Sequence, residues 1–584
     1  LPDTAGKFVF LLLVVGFIPV LVFAWAYEVT PEGIKRESEV DRSESITQET
    51  AARLNRTTIV LLVAVAVMVL VDRFIPQRGD VPGLAELDVS AETSGEPAAA
   101  PAETDVVEPA EFDDTPSVAV LPFVNMSSDE ENEYFSDGIT EELLNLLVRV
   151  DGLRVPSRTS SFAFKGQNTD IRDIARQLEV NHILEGSVRK AGNQVRITAQ
   201  LIDVGSDTHL WSDTYDRELH DIFAIQSEIA SEIVDALHVT LGGALTSSRP
   251  TDNMAAYNLF LQGRYLFQRR GNDLLPAEDL LSQAVEIDPE FAEAWATLAL
   301  VHVMSPNYLG TPLEEAEPAA RQAAEQAQAL DASLVEPLMV RGNLAAKHSD
   351  LLGALEQLEE AVELQPKHVL ARTWLGIVLL EAGYLQASRD QLERAMRDDP
   401  VSGLNADWLA RALYYSGETE AARALATRAV ELGRWAGFVP LSQIHLDAGE
   451  FEATRDLLEI IQYRPLREAF EYVIEARMNP GRKAQALEIT EQINARGEDP
   501  ARFVAAAVYT HLAEADKLFD ILPQAIPRDA TVYTVLWTPM AKPIRQHPRM
   551  KTFAAEHGLM EVWQARGWPD LCRPVGDDDF ECDS

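Results

Sequence analysis

The sequence predicts an α+β chain overall: transmembrane helices first, then an α/β domain, then an all-α solenoid of repeated helix pairs. Three observations predict it. Phe8 to Tyr27 is a stretch of twenty residues with no charge. Between residues 117 and 245, short apolar runs bounded by turn residues alternate with helical spacing. From Met254 to Gly437 one unit recurs, with alanines at 284, 327, 361, 395 and 429, giving steps of 43, 34, 34 and 34 residues.

About twenty apolar residues cross a bilayer as a helix, so 8–27 reads as a first span and about 58–75 as a second. A cleavable signal peptide competes for the first run, because Ala24-Trp-Ala26 resembles a cleavage site. A buried soluble helix competes for the second. The 28–57 connection holds Lys35, Arg36, Arg42, Arg53 and Arg56, against only Arg73 and Arg78 after the second run. Basic residues stay inside, so that loop is expected in the cytoplasm and the body beyond it in the bacterial periplasm, with the lipid bilayer as a partner. The stretch Ala24 to Arg36 resembles a juxtamembrane signature of bacterial inner-membrane repeat proteins, which carry one more N-terminal helix. A start inside a longer reading frame is therefore expected.

Residues 76–116 carry six prolines, and from Gly79 onward eleven acids and no basic residue. Such a composition buries no core and reads as an extended linker.

The α/β domain is expected over 117–245. Val118 to Phe123 reads as a buried strand, Ile139 to Val150 as a helix, Leu153 to Val155 as another strand, and Ile171 to Leu178 as a short helix. His182–Arg189 and Gln194–Val204 read as a hairpin, Thr208 to Tyr215 as a third antiparallel strand, and Ile222 to Leu237 as a closing helix. The motifs Val118-Ala-Val-Leu-Pro-Phe123, Phe135-Ser-Asp-Gly-Ile-Thr-Glu-Glu142, His182-Ile-Leu-Glu-Gly-Ser-Val188 and Leu210-Trp-Ser-Asp-Thr-Tyr-Asp-Arg217 resemble a TolB-like domain. That family occurs between membrane helices and repeat arrays, often in chains that begin with a class III adenylate cyclase or a winged-helix domain.

The 34-residue unit is the length of a helix–turn–helix that must stack on its neighbours to bury its apolar face. Pro289, Pro366 and Pro400 fall five residues after three of the alanines and end the second helix. With Trp295, Leu298 and Ala299, then Gly342, Gly376 and Ala410, the array resembles tetratricopeptide repeats (TPR). The solenoid is expected over 250–535 and is degenerate after about 437. The extra nine residues of the first step are expected as an enlarged loop at 304–313. A cap and acidic tail follow over 536–584.

The net charge of −43 repels phosphate, so nucleic acid is not an expected partner. No phosphate loop, nucleophile elbow or His-Glu-x-x-His pattern occurs. Asp129 to Glu131, Glu141 and Glu142 read as solvated carboxylates flanking a helix N-terminus. Ser157, Thr159, Ser160 and Ser161 read as a polar turn, His182 and His209 as strand histidines, and Asp577 to Asp579 lack the spacing of a calcium loop. No catalytic residue, metal or cofactor is therefore expected, and the chain reads as a non-enzyme. The TPR resemblance implies a concave groove for a protein or peptide partner, with Asn343, Lys347, Arg411, Tyr414 and Tyr415 pointing inward. Packing tyrosines beside a solvated arginine remain an open alternative for that set. Cys572 and Cys582 are expected to form a disulfide in the periplasm, where nine intervening residues with Pro574 and Gly576 make a turn. The function expected is a membrane-anchored periplasmic scaffold binding proteins through both domains. The rival is the sensory or regulatory portion of a signalling protein such as a class III adenylate cyclase, with the catalytic domain absent from this chain.

Overall fold

A computed structural model describes residues 115–127, 132–239, 250–461, 464–495, 501–576 and 579–583, together with the backbone of two short strands. Those strands, β1 (Tyr27–Thr30) and β2 (Gly33–Arg36), form an antiparallel hairpin within a first unit, Leu1–Val107. The second unit is Glu108–Ser584.

The expected α+β class with transmembrane helices is corrected. The described chain is predominantly helical, and its one large sheet is confined to residues 118–218. Among the described residues no helix is long and apolar enough to cross a membrane. The expected spans at 8–27 and 58–75 lie outside the described residues, except Tyr27, which is in β1.

In the second unit, β3 (Val118–Val120) and β4 (Val124–Asn125) both pair in parallel with β5 (His182–Ala191). The antiparallel β6 (Gln194–Asp203) and β7 (Thr208–Glu218) complete the sheet. The expected strand at 153–155 reduces to one parallel bridge, Ser117 to Arg154. Alternation along β6 buries Val195, Ile197, Ala199 and Leu201 against α1 (Glu133–Val148) and, later in the chain, α4 (Ile222–Ala236). Two short helices lie between, α2 (Arg158–Phe162) and α3 (Ile171–Leu178), with α3 covering the opposite face. The apolar core beneath α1 and α4 continues into the first repeat without a break, through Tyr257, Phe260 and Leu261. The sheet domain is therefore welded to the array rather than strung beside it.

Eight helix pairs follow among the described residues. The first is α5 (Met254–Arg269) with α6 (Leu274–Ile287). The second is α7 (Ala292–Leu309) with α8 (Leu313–Leu330), each of 18 residues. The nine extra residues of the 43-residue step therefore lengthen both helices instead of enlarging the loop, with Pro306 accommodated inside α7. Then come α9 (Glu336–Lys347) with α10 (Leu351–Leu364), α11 (Val369–Glu381) with α12 (Leu385–Asp398), and α13 (Gly403–Tyr415) with α14 (Thr419–Glu431). Three irregular pairs close the series: α15 (Phe438–Ala448) with α16 (Phe451–Leu457), α17 (Arg464–Met478) with α18 (Lys483–Ala495), and α19 (Ala501–His511) with α20 (Ala515–Ala525).

Two features make the regular repeats pack. A Cβ placed on Gly376 would lie 2.7 Å from Leu392 Cγ, so only glycine lets α11 and α12 approach this closely. The turn inside each pair is closed by one left-handed residue, at Ser349, Gly383 and Gly417, again 34 apart. In each case the next N–H reaches back five residues, for example Tyr384 to the Leu379 carbonyl at 2.9 Å, as in a Schellman ending.

The tail does more than cover the last pair. A 3-10 stretch, Ala530–Trp537, crosses the C-terminal ends of α9, α11 and α13. Trp537 Nε1 donates to the Glu381 carbonyl at 2.9 Å, and Trp563 Nε1 to that of Ala382 at 2.9 Å. The indole of Trp537 presses on Gly383, whose φ of +87° and lack of a Cβ both suit the contact. Cys572 and Cys582 are joined in a disulfide between two three-residue strands, and Asp583 beside it holds Arg545 by two hydrogen bonds of 2.6 and 3.0 Å.

Candidate functional site

The sheet domain, the curved array and the returning tail border a partly open chamber of about 2270 Å³. Its walls are joined by contacts far apart in sequence. Lys367 Nζ donates to the carbonyls of Val148 and Val150, at 3.0 and 2.9 Å. Ser160 donates to the buried carboxylate of Asp399 and accepts the Val401 N–H at 2.8 Å. The serines expected as a polar turn thus sit in a short helix that docks on the loop between α12 and α13.

One wall carries an ionic network. Glu141 accepts from Arg158 at 3.0 Å and lies 3.5 Å from Arg264, which pairs with Glu142 at 2.7 Å. Because α1 begins at Glu133, these two carboxylates lie two turns inside the helix, half-buried, and not at a solvated N-terminus. Burial pulls the Arg264 pKa down, but Glu141 and Glu142 outweigh it and hold it above its ordinary value. Arg270, Met304, Tyr308, Arg411 and Arg434 also line the chamber.

The predicted groove set divides. Asn343, Lys347 and Arg411 line the chamber. Asn343 is half-buried and its Oδ1 has no hydrogen-bond partner. Lys347 is buried, donating to Asn307 Oδ1 at 2.7 Å and to the Arg528 carbonyl. Burial pushes its ammonium down to about 8, against the opposing pull of Asp529 and Glu381. Arg411 is only 5% exposed and is already taken: it donates to both oxygens of Asp407 at 2.9 and 3.4 Å and lies over Trp408. Tyr414 donates to Asp447, and Tyr415 is buried in the core. The expectation that Arg411 offers a free guanidinium beside two inward tyrosines is therefore corrected, because an i, i+4 carboxylate one turn earlier claims it. Sequence reasoning passed over Arg158, Arg264, Arg270, Arg434, Glu381 and Asp529. Only Arg270, directly before Gly271 at a helix end, carried a local signal.

His182 Nδ1 contacts the Ser117 carbonyl at 3.0 Å, and His209 is exposed. Asp129 to Glu131, Asp577 and Asp578 lie outside the described residues, while Asp579 pairs with Lys551.

Comparisons with known proteins match this architecture in pieces. Residues 114–232 match the family described as HilA/YgeH-like transcriptional regulator, second domain. That is the stretch whose motifs resemble TolB-like domains. A protein of Rhizobium meliloti (strain 1021), named as a candidate adenylate cyclase 3, is 46% identical over 190 residues, 32% of this chain. The chain spans 32% of that relative's length. Among solved structures, Pseudomonas aeruginosa PilF is 22% identical with a TM-score of 0.28, covering 39% of this chain and 93% of its own. TolB of Acinetobacter baumannii is 17% identical with a TM-score of 0.18, covering 21% of this chain and 29% of its own. Likenesses of that size carry no weight here, and the assignment to a TPR-like, protein-interaction fold rests on the 34-residue helix pairs themselves.

Proposed function

We propose that this chain is a non-enzymatic scaffold that binds a segment of another protein inside the chamber. One observation carries the reading. The partly open space, about 2270 Å³, exceeds the several hundred cubic ångströms typical of a small-molecule pocket, and helices of the repeats line it. The disulfide at Cys572 and Cys582 supports residence of the body in an oxidising compartment, the periplasm. The basic residues of the 28–57 stretch support the same side, at the inner membrane. A second reading is favoured by the adenylate cyclase relative: the chain is the regulatory portion of a signalling protein, reporting occupancy of the chamber to a catalytic partner. The two share the same binding step.

The test is crosslinking in living cells from a photoreactive residue at Asn343, inside the chamber, and another at Thr214, on exposed β7. Discrete protein adducts from Asn343 are expected. Adducts from Thr214 alone would move the binding surface to the sheet domain, and adducts from neither would end the scaffold reading.

A further inference from the structure

Several guanidiniums that line the chamber are incompletely paired. Five of the lining guanidiniums belong to Arg158, Arg264, Arg270, Arg411 and Arg434. Glu141 and Glu142 serve Arg158 and Arg264. Asp407 alone serves both Arg411 and Arg434, the latter only at 3.5 Å, and the buried Nε of Arg434 has no hydrogen-bond partner. Among the described residues no carboxylate pairs with Arg270 at all. Its guanidinium rests on the Phe267 ring at 3.8 Å and donates only to the thioether of Met304, at 3.0 Å. A sulfur is a weak acceptor for a group with five donors. One buried Nη2 of Arg264 is likewise without a partner.

The backbone points the same way. Arg270 has φ +61° and ψ −164°, a region that side-chain-bearing residues strongly avoid. Gly271 follows it, yet the strained position carries the arginine. Burial first, and then repulsion from Arg158 and Arg434, bring the Arg270 pKa down to about 10, while the Tyr308 hydroxyl opposes the change. Arg158 and Arg434 line the same chamber as Arg270.

We infer that Arg270 and Arg434 form an oxyanion site within the chamber, binding a carboxylate or phosphoryl group on the captured protein segment. The guanidinium fork matches both groups bidentately, and such an anion would supply the acceptors that Arg270 and Arg434 lack. This rests on the chamber being the binding surface, and it assigns the acid-recognising role to Arg270, since Arg411 is occupied by Asp407.

The test titrates the full 584-residue chain calorimetrically with succinate and, separately, with inorganic phosphate at low ionic strength. Saturable binding of at least one is expected. Succinate alone would identify an acidic residue or C-terminus as the source, phosphate alone a phosphorylated residue, and both a general oxyanion site. Arg270→Gly should weaken binding by roughly tenfold or more, the effect of one charge-assisted hydrogen-bonded contact. The same change relieves the positive φ, so its unfolding temperature should be equal or higher, which separates lost binding from lost folding. Arg434→Gln should weaken binding as well, and Arg172→Gln, on the exposed surface, should not. Absence of saturable binding for both anions, or binding by Arg270→Gly within about twofold of the parent, overturns the site. If Asn343 adducts persist in Arg270→Gly while anion binding was never present, the scaffold reading stands and only the oxyanion site falls.

Discussion

The middle repeats and the tail that crosses them are held by contacts of different reach. Within α11 and α12, Gly376 meets Leu392 and Ser388 donates to the Gly376 carbonyl, only 12 residues away in sequence. The tail has short-range contacts of its own, such as the Cys572–Cys582 link, but it is seated on the array at long range. Trp537 reaches back 156 residues to Glu381, Trp563 181 to Ala382, and Tyr533 184 to Ser349. Repeats that touch only their neighbours form step by step, whereas a segment anchored at long range closes a large loop first. The array can therefore exist without its tail, while the tail and the chamber it borders require the array.

The sharpest way to break that comparison is Trp537→Ala. Trp537 is fully buried, and removing so large a side chain costs about 3–5 kcal/mol. The loss should fall on the tail: amide exchange should accelerate across 530–583 while α11 to α14 keep their protection. Equal loss in both regions would mean that array and tail unfold as one unit, and the distinction would collapse.

Next in size is the disulfide. Closing a loop of this length restricts the unfolded tail by roughly 2–3 kcal/mol. Replacing Cys572 and Cys582 by serine should lower the tail's denaturation midpoint by that amount and leave the repeats' transition in place. An unchanged tail transition after reduction would show that the Arg545–Asp583 pair and the Trp563–Phe580 contact suffice without the covalent link.

These two regions also differ in how far they can be read from sequence. The alanine period and the glycines report close helix approach, because that constraint recurs every 34 residues and leaves a pattern. The strands at 182–203 announce themselves by alternation. Nothing in the tail repeats, so no spacing reveals that Trp537 seats on Gly383. The site fared likewise. The family geometry brought Asn343 and Lys347 to the chamber, but the fate of Arg411 depended on Asp407, one turn earlier, and on a curvature that also delivered Arg434. The nine extra residues were expected as a loop at 304–313, whereas α7 runs on to Leu309 with Pro306 inside its last turns.

The smallest expected effect lies where tail and repeats meet, at Lys347. Its ammonium is buried beneath the Arg528 carbonyl, and desolvation pushes its pKa from 10.5 down to about 8. Below about pH 8 both folded and unfolded chains carry the proton, and the full penalty of burying the charge applies. Between about 8 and 10.5 the unfolded chain holds the proton that the folded one has released, so stability from this group rises with pH. Glu381, which burial raises well above its ordinary range, acts in the opposite sense, its stabilising contribution falling as pH rises. The comparison is therefore made between the parent and Lys347→Met, in which groups other than its neighbours Glu381 and Asp529 largely cancel. Between pH 7.5 and 9.5 the parent should gain on the variant by about 1–2 kcal/mol, read from denaturant midpoints at each pH. Parallel profiles would mean that water reaches the ammonium. In that case the tail does not close over α9, and the chamber is an open groove at that end.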